Sequence, residues 1–174
     1  NVITCNFSTI GGGYNHGACA PVSTIAGGGN NNILAPTSTI GGGYGNCVDS
    51  GGNCSTIGGG YFNLITSPCS TIGGGSNNTV EGNSSFIGGG ITNINCGACS
   101  VIAGGSGNTI ANGVVSSGIL GGIGNCISGT TNQSFIIGSN ITADMAGTTF
   151  VNCLSIKNIP TSATGLCAGM IYSN

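Results

Sequence analysis

The feature that most constrains this chain is a repeat. The phrase Ser-Thr-Ile-Gly-Gly-Gly recurs, and setting the register on its isoleucine gives the anchors Ile10, Ile25, Ile40, Ile57, Ile72, Ile87, Ile102, Ile119 and Ile136. Their spacings are 15, 15, 17, 15, 15, 15, 17 and 17 residues, nine units over residues 5–145. Two positions before each anchor stands Ser, from Ser8 to Ser134, and two after it stands Gly, from Gly12 to Gly138. Six after it stand His16, Asn31, Asn46, Asn63, Asn78, Asn93, Asn108 and Asn125. Eight after it the chain carries an aliphatic residue in most units, with Asn95 in the sixth. Four aligned columns through nine units do not arise by chance, and a period missed here mis-assigns the whole fold.

A 15-residue unit is too short for a helical repeat, which needs about 33 residues. It lacks a 3.6-residue apolar period and is rich in poor helix formers. Two strands of about five residues with two tight turns fit it. Ser-Thr-Ile is read as the first strand, Asn-x-Val/Ile as the second, and the glycine run as the turn between them. The expected fold is all-β: a parallel β-solenoid, or β-roll, of nine two-strand coils stacked about 4.8 Å apart. Like then lies over like, and the Asn column becomes an amide ladder. The two extra residues of the longer units, as in Ser50–Asn53, belong at a turn. The expected division is a repeat domain over residues 1–145 and a capping segment over 146–174, with a last strand or cap in residues 148–156.

Composition removes other classes. Glycine is 37 of 174 residues, and the charged residues are Asp49, Glu81, Asp144 and Lys157. One lysine cannot supply the basic patch of a nucleic-acid binder. A mean hydropathy of +0.35 with four prolines is not that of a disordered chain. Gly, Asn and Ser interrupt every apolar run short of a membrane span. Glycine clusters rather than recurring every third residue, unlike collagen. No signal peptide is visible, and the start in mid-pattern at Asn1 is compatible with a longer precursor.

Each coil offers an inward Ile and one more aliphatic side chain, a thin return against the cost of ordering 15 residues. Further apolar burial is expected through the column one before the anchor, Thr9, Thr24, Thr39, Thr56, Thr71, Phe86, Val101, Gly118 and Phe135. Strand alternation points it away from the Ile face, and a strand apolar on both faces is buried on both. The expectation is self-association, most simply three columns around an axis. A monomeric solenoid with a Thr-rich face, which a regular Thr spacing would suit to ice, is the alternative.

The Ser-Thr-Ile-Gly-Gly-Gly units resemble the heads of trimeric autotransporter adhesins, and this likeness covers residues 7–140. It implies a left-handed parallel β-roll in a homotrimer. Similar repeats followed by Asn-Asn-Thr occur in fibre-like proteins of phages and large DNA viruses. The segment 158–174 resembles a closing segment of viral tail and fibre proteins. Together these favour a virion over a bacterial surface. Two features depart from adhesin heads: the chain has ten cysteines, and it shows no stalk, neck or anchor.

An even cysteine count at this density in a core-poor fold favours disulfides in an oxidising setting over free thiols, with metal or redox chemistry last. Cys54 and Cys69 both stand three before their anchors on adjacent coils, within bridging range. Cys99 shares the column two coils from Cys69. Cys96 and Cys99 form a C-x-x-C without the further ligands that zinc needs.

Catalytic residue types are scarce. His16 is read as a ladder member or end cap. Asp49 and Glu81 share a column nine after their anchors, two coils or about 10 Å apart, which is close to the carboxylate spacing of inverting glycosidases; they are read as solvated charges. Tyr14, Tyr44 and Tyr61 recur four after their anchors and are read as covers for glycine turns before sugar contacts. Lys157 is read as solvated. No catalytic residue, cofactor or metal site is expected.

The expected function is a non-enzymatic structural protein. It would be a rigid fibre, spike or capsid decoration on a virion surface or outside the cell, with other virion or surface proteins as neighbours and a host glycan or receptor as its contact. A bacterial adhesin head and a glycan-cleaving spike are the alternatives. Neither nucleic-acid binding nor membrane insertion is expected.

Overall fold

A computed structural model describes residues 1–155; Lys157, Cys167 and the closing segment 158–174 lie outside them. Two parallel sheets of ten strands each run the length of the column. One begins at Thr9–Ile10 and ends at Thr149–Val151; it is called the isoleucine sheet below. The second begins at Val2–Ile3 and ends at Thr142–Ala143. Every strand pairs with the equivalent strand of the next coil, in register: Thr24 faces Thr39 and Ile25 faces Ile40, while Asn32 faces Cys47 and Ile33 faces Val48. The chain is therefore an all-β parallel solenoid, and ten rungs make it about 45 Å long.

The tenth rung lies beyond the last sequence anchor. Thr149–Val151 pairs with Phe135–Ile137, and Phe150 falls in the isoleucine column. The strands are shorter than expected. Eighteen of them span two residues, not five, because each rung must turn about its axis within 15 residues and so bends at several left-handed positions. One lies three after the anchor, where Gly28 (φ 95°) and Gly43 (φ 82°) stand. A Cβ on Gly28 would come 2.0 Å from the carbonyl oxygen of Gly43, so only glycine fits. The second lies five after the anchor, as at Asn15, Asn30 and Gly45. The third lies three before it and includes Phe7, Val22, Thr37, Cys54, Cys69 and Cys99, all with φ between 52° and 60°.

The last two left-handed columns reverse hydrogen-bond direction. Strand amides donate to the next rung, as Thr24 does to Ser38 (3.0 Å), whereas Val22 donates back to Asn6 (3.1 Å) and Asn30 back to Tyr14 (3.0 Å). Rungs are thus tied in both directions. The two-residue insertions form turns, at Ser50–Gly51, Asn112–Gly113 and Gly129–Thr130.

The interior is only half apolar. The anchor isoleucines from Ile25 to Ile136 and the facing column of Ile33, Val48, Ile65, Val80, Ile110 and Ile127 are fully buried. Beside them run a serine column and an asparagine column, also buried. The serines bond along the stack: the amide of Ser70 donates to Oγ of Ser55 (3.0 Å), and Ser70 Oγ donates to the carbonyl of Gly82 (3.0 Å).

Candidate functional site

The asparagine column is a continuous ladder. The side-chain nitrogen of Asn63 donates to Oδ1 of Asn46 (3.1 Å) and to the carbonyls of Gly59 and Gly75 (3.0 Å each), while its backbone amide donates to the same Oδ1 (3.0 Å). The pattern repeats at Asn78, Asn93 and Asn108. Asn125 ends it, accepting the amide of Ile141 (3.1 Å). These side chains are consumed by structure and leave nothing for a ligand. Asn1 is one rung earlier than the sequence columns begin, and its Oδ1 accepts the amide of His16 (3.1 Å). His16 is 2% exposed and takes the next place. Its Nδ1 accepts the amide of Asn31 (3.2 Å), and its Nε2 is buried with no partner.

Asp49 and Glu81 stand in one outward column with Thr66 between them. Asp49 accepts the amide of Ser50 (2.7 Å), and Glu81 accepts the Cys96 thiol (3.3 Å). That pair borders a shallow cleft of about 210 Å³ lined by Asn83, Asn112 and Val115 among others. Burial, the bond to Glu81 and its charge push the Cys96 thiol up to about 11 from the ordinary 9.0. A thiol so held is protonated near neutral pH and is not a nucleophile there. Burial, then the charge of Asp49, also raises Cys47.

Cys54 and Cys69 are exposed free thiols at one corner of adjacent rungs, tied by a backbone bond from Cys69 to Asn53 (2.8 Å). Cys99 shares this corner, with Ser84 between. Among the described residues no group of three or more His, Cys, Asp or Glu side chains could hold a metal, and no helix is long and apolar enough to cross a membrane.

Two surfaces remain. The column Thr9, Thr24, Thr39, Thr56, Thr71, Phe86, Val101 and Phe135 lies on the outer face of the isoleucine sheet, with Thr71 half-buried and the others exposed. From Phe86 to Ile137 this face is apolar on both outer columns, since Leu120 and Ile137 are also exposed. Gly118 is buried there, because the ring of Phe135 lies over it.

The second surface is the row between the sheets. Backbone bridges link Tyr14, Gly29, Tyr44, Tyr61 and Ser76 in order. Tyr44 and Tyr61 stack at 5.6 Å, and Phe62 meets both edge-on, at 5.7 and 4.5 Å. The tyrosines were legible as a row. Phe62 was not, because it stands one residue later, in a column otherwise filled by Asn, Gly and Thr. Asn95 is the other residue whose role the columns hide: it is buried, and its Nδ2 donates to the carbonyl of Ser100 (2.9 Å), pinning the corner from inside. No protein-family model matches the chain, and no curated protein matches it.

Proposed function

We propose that the chain is a non-enzymatic structural protein, a rigid and nearly uncharged column that three copies form side by side through the outer face of the isoleucine sheet. The observation that carries this reading is the run of exposed apolar side chains on that face, Phe86, Val101, Leu120, Phe135 and Ile137. A contiguous apolar patch on a flat sheet marks an interaction surface. The likeness of the repeats to trimeric adhesin heads supports the three-fold arrangement. Their likeness to phage and large-virus fibres, with that of segment 158–174, supports a place on a virion surface beside other virion proteins, in contact with a host receptor or glycan.

The test is the native mass of the purified chain with and without reductant. Three copies in both conditions are expected. A trimer that falls apart only on reduction would move the contact from the sheet face to cross-chain disulfides, and a monomer in both would overturn the reading. The second reading is a bacterial adhesin head, favoured by the same repeats; a stalk and membrane anchor encoded downstream would select it. The shared column of Asp49 and Glu81 is what favours a glycan-cleaving spike, and hydrolysis lost in Asp49→Asn or Glu81→Gln would select that.

A further inference from the structure

We propose that the row between the two sheets is a binding strip for a neutral glycan chain, with Tyr14 and Phe62 as flat platforms for sugar rings. Both rings lie over glycines of neighbouring rungs. A Cβ on Gly29 would meet Tyr14 Cζ at 2.8 Å, and one on Gly45 would strike the Phe62 ring. The glycines therefore act as vacancies into which the rings fold down. Tyr14 leans forward from the first rung onto Gly29, and Phe62 leans back from the fourth onto Gly45. Between them stands Tyr44.

Phe62 is held nearly perpendicular to the stacked tyrosines, at 88° to Tyr44 and 77° to Tyr61. The ring also packs over Gly45, yet Phe62 stays 47% exposed and Tyr14 is 61% exposed. An aromatic face carries negative charge density. It suits the C–H side of a pyranose ring, whose hydroxyls project from the ring edge. Amides border the strip. Asn15 donates to Oδ1 of Asn30, and Asn77 donates to Ser76 Oγ (2.9 Å). Asn30 Nδ2 and Asn15 Oδ1 have no side-chain partner among the described residues, which leaves a donor and an acceptor for sugar hydroxyls. A rung rise of about 4.8 Å matches roughly one sugar unit along the column.

Charge chooses the ligand class. Among the described residues the strip has aromatic rings and amides but no cationic side chain. Single-stranded nucleic acid needs a basic groove beside its stacking platforms, and acidic glycans need Arg or Lys. Proline-rich peptides dock between aromatic ridges that form a groove, whereas here Tyr44 and Tyr61 stack on each other at 5.6 Å with Phe62 edge-on to both. A neutral glycan is what remains. The inference needs the surface location of the proposed function but not its trimer, because the strip lies off the isoleucine-sheet face.

The chain has no tryptophan, and Tyr14, Tyr44 and Tyr61 are three of its four tyrosines, so tyrosine emission reports on the strip in the unmodified protein. Titration with a β-1,4-linked glucose hexamer and an N-acetylglucosamine hexamer should give a saturable change with at least one, and none with a heparin oligosaccharide or a proline-rich peptide. Phe62→Ala should weaken binding by about tenfold or more, on the scale of base–aromatic stacking, while Phe135→Ala on the sheet face leaves it unchanged. Should Phe62→Ala fail to fold, the exposed pair Asn15→Ala with Asn30→Ala should weaken binding several-fold with the melting temperature kept. No response to either neutral hexamer, a stronger response to heparin or the peptide, or undiminished binding by whichever of these variants folds would overturn the proposal. A monomeric native mass with glycan binding intact would sink the trimer alone.

Discussion

Oδ1 of Asn31 accepts two hydrogen bonds from Asn46 on the next rung, from its backbone amide at 2.9 Å and from its side-chain nitrogen at 3.2 Å. Each ladder asparagine thereby serves as acceptor for the rung ahead and donor to the rung behind. Asn78 is a mid-ladder case, bonded to Asn63, to the carbonyls of Gly74 and Gly90, and to Asn93. Asn78→Leu keeps the volume but orphans these buried groups, at about 3 kcal/mol or more. Asn78→Asp keeps the acceptor but aims a carboxylate at two carbonyl oxygens. Its folded-state pKa would be raised, so its stability should be greatest below the ordinary aspartate value of about 4 and fall as pH rises. Urea midpoints at pH 4 and pH 7 check both; an Asp variant as stable at pH 7 as at pH 4 would contradict the ladder account.

His16 breaks that pattern, because its Nε2 is buried without an acceptor. An asparagine there could donate to the carbonyls of Gly12 and Gly28, as Asn31 does to Gly27 and Gly43 at 3.0 Å. His16→Asn should stabilise the chain by about 1 kcal/mol, a rise in melting temperature of about 2–4 °C at this length. A fall on differential scanning calorimetry would show that the imidazole packs better than its missing bond suggests.

The period, the two facing strands, the inward Ile column and the Asn ladder were legible because stacking puts equal residues in equal environments, so each column records one environment eight or nine times. The corners were not. The left-handed position three before each anchor is held by Phe7, Val22, Thr37, Cys54 and other unlike residues, so it leaves no glycine or asparagine signal. Conversely, the most regular glycine column, two after each anchor, includes Gly12, Gly27 and Gly74, where an added Cβ would meet nothing within 4 Å. Crowding does not explain that column. For the candidate strip, the tyrosine spacing was visible, but the way Tyr14 and Phe62 fold onto Gly29 and Gly45 depends on pairs of rungs that a single unit does not contain.

Val22 adopts φ 58° although it is β-branched, a conformation that costs roughly 1–2 kcal/mol for an L-residue. Asparagine tolerates it far better. Because Val22 is half exposed, its replacement sacrifices little packing. Val22→Asn should raise stability by about 1 kcal/mol, and Val22→Gly by less because glycine loses more chain entropy on folding. Chemical denaturation of the two variants would give this order; a destabilised Asn variant would mean that Val22 contributes packing the geometry hides.

The Cys96 thiol donates to Glu81, and burial with that bond holds it at about 11. The folded state keeps a proton that the unfolded chain releases near 9, so the thiol's contribution to stability is complete below that pH and is lost as pH climbs toward 11. At pH 8 Cys96 should react with a disulfide reagent more slowly than the exposed Cys54, Cys69 and Cys99. Glu81→Gln should speed it by about tenfold for each pKa unit removed. Peptide mapping after timed labelling resolves the sites, and equal rates at Cys96 in both proteins would remove Glu81 from the explanation.

Leu120 and Phe135 are 56% and 44% exposed on the outer face of the isoleucine sheet, so lysines there cost a lone column little. In a trimer closed through that face they would bring like charges into an apolar contact, which costs far more. The double variant Leu120→Lys, Phe135→Lys should therefore run as a single copy at micromolar concentration, with the β-sheet circular dichroism and melting of a folded chain. Thr39→Lys, at the threonine end of the same face, should weaken association less, because fewer apolar side chains surround it. Native mass spectrometry on the three proteins distinguishes the cases. If the double variant keeps three copies, the contact lies elsewhere, and the apolar half of the sheet needs another partner.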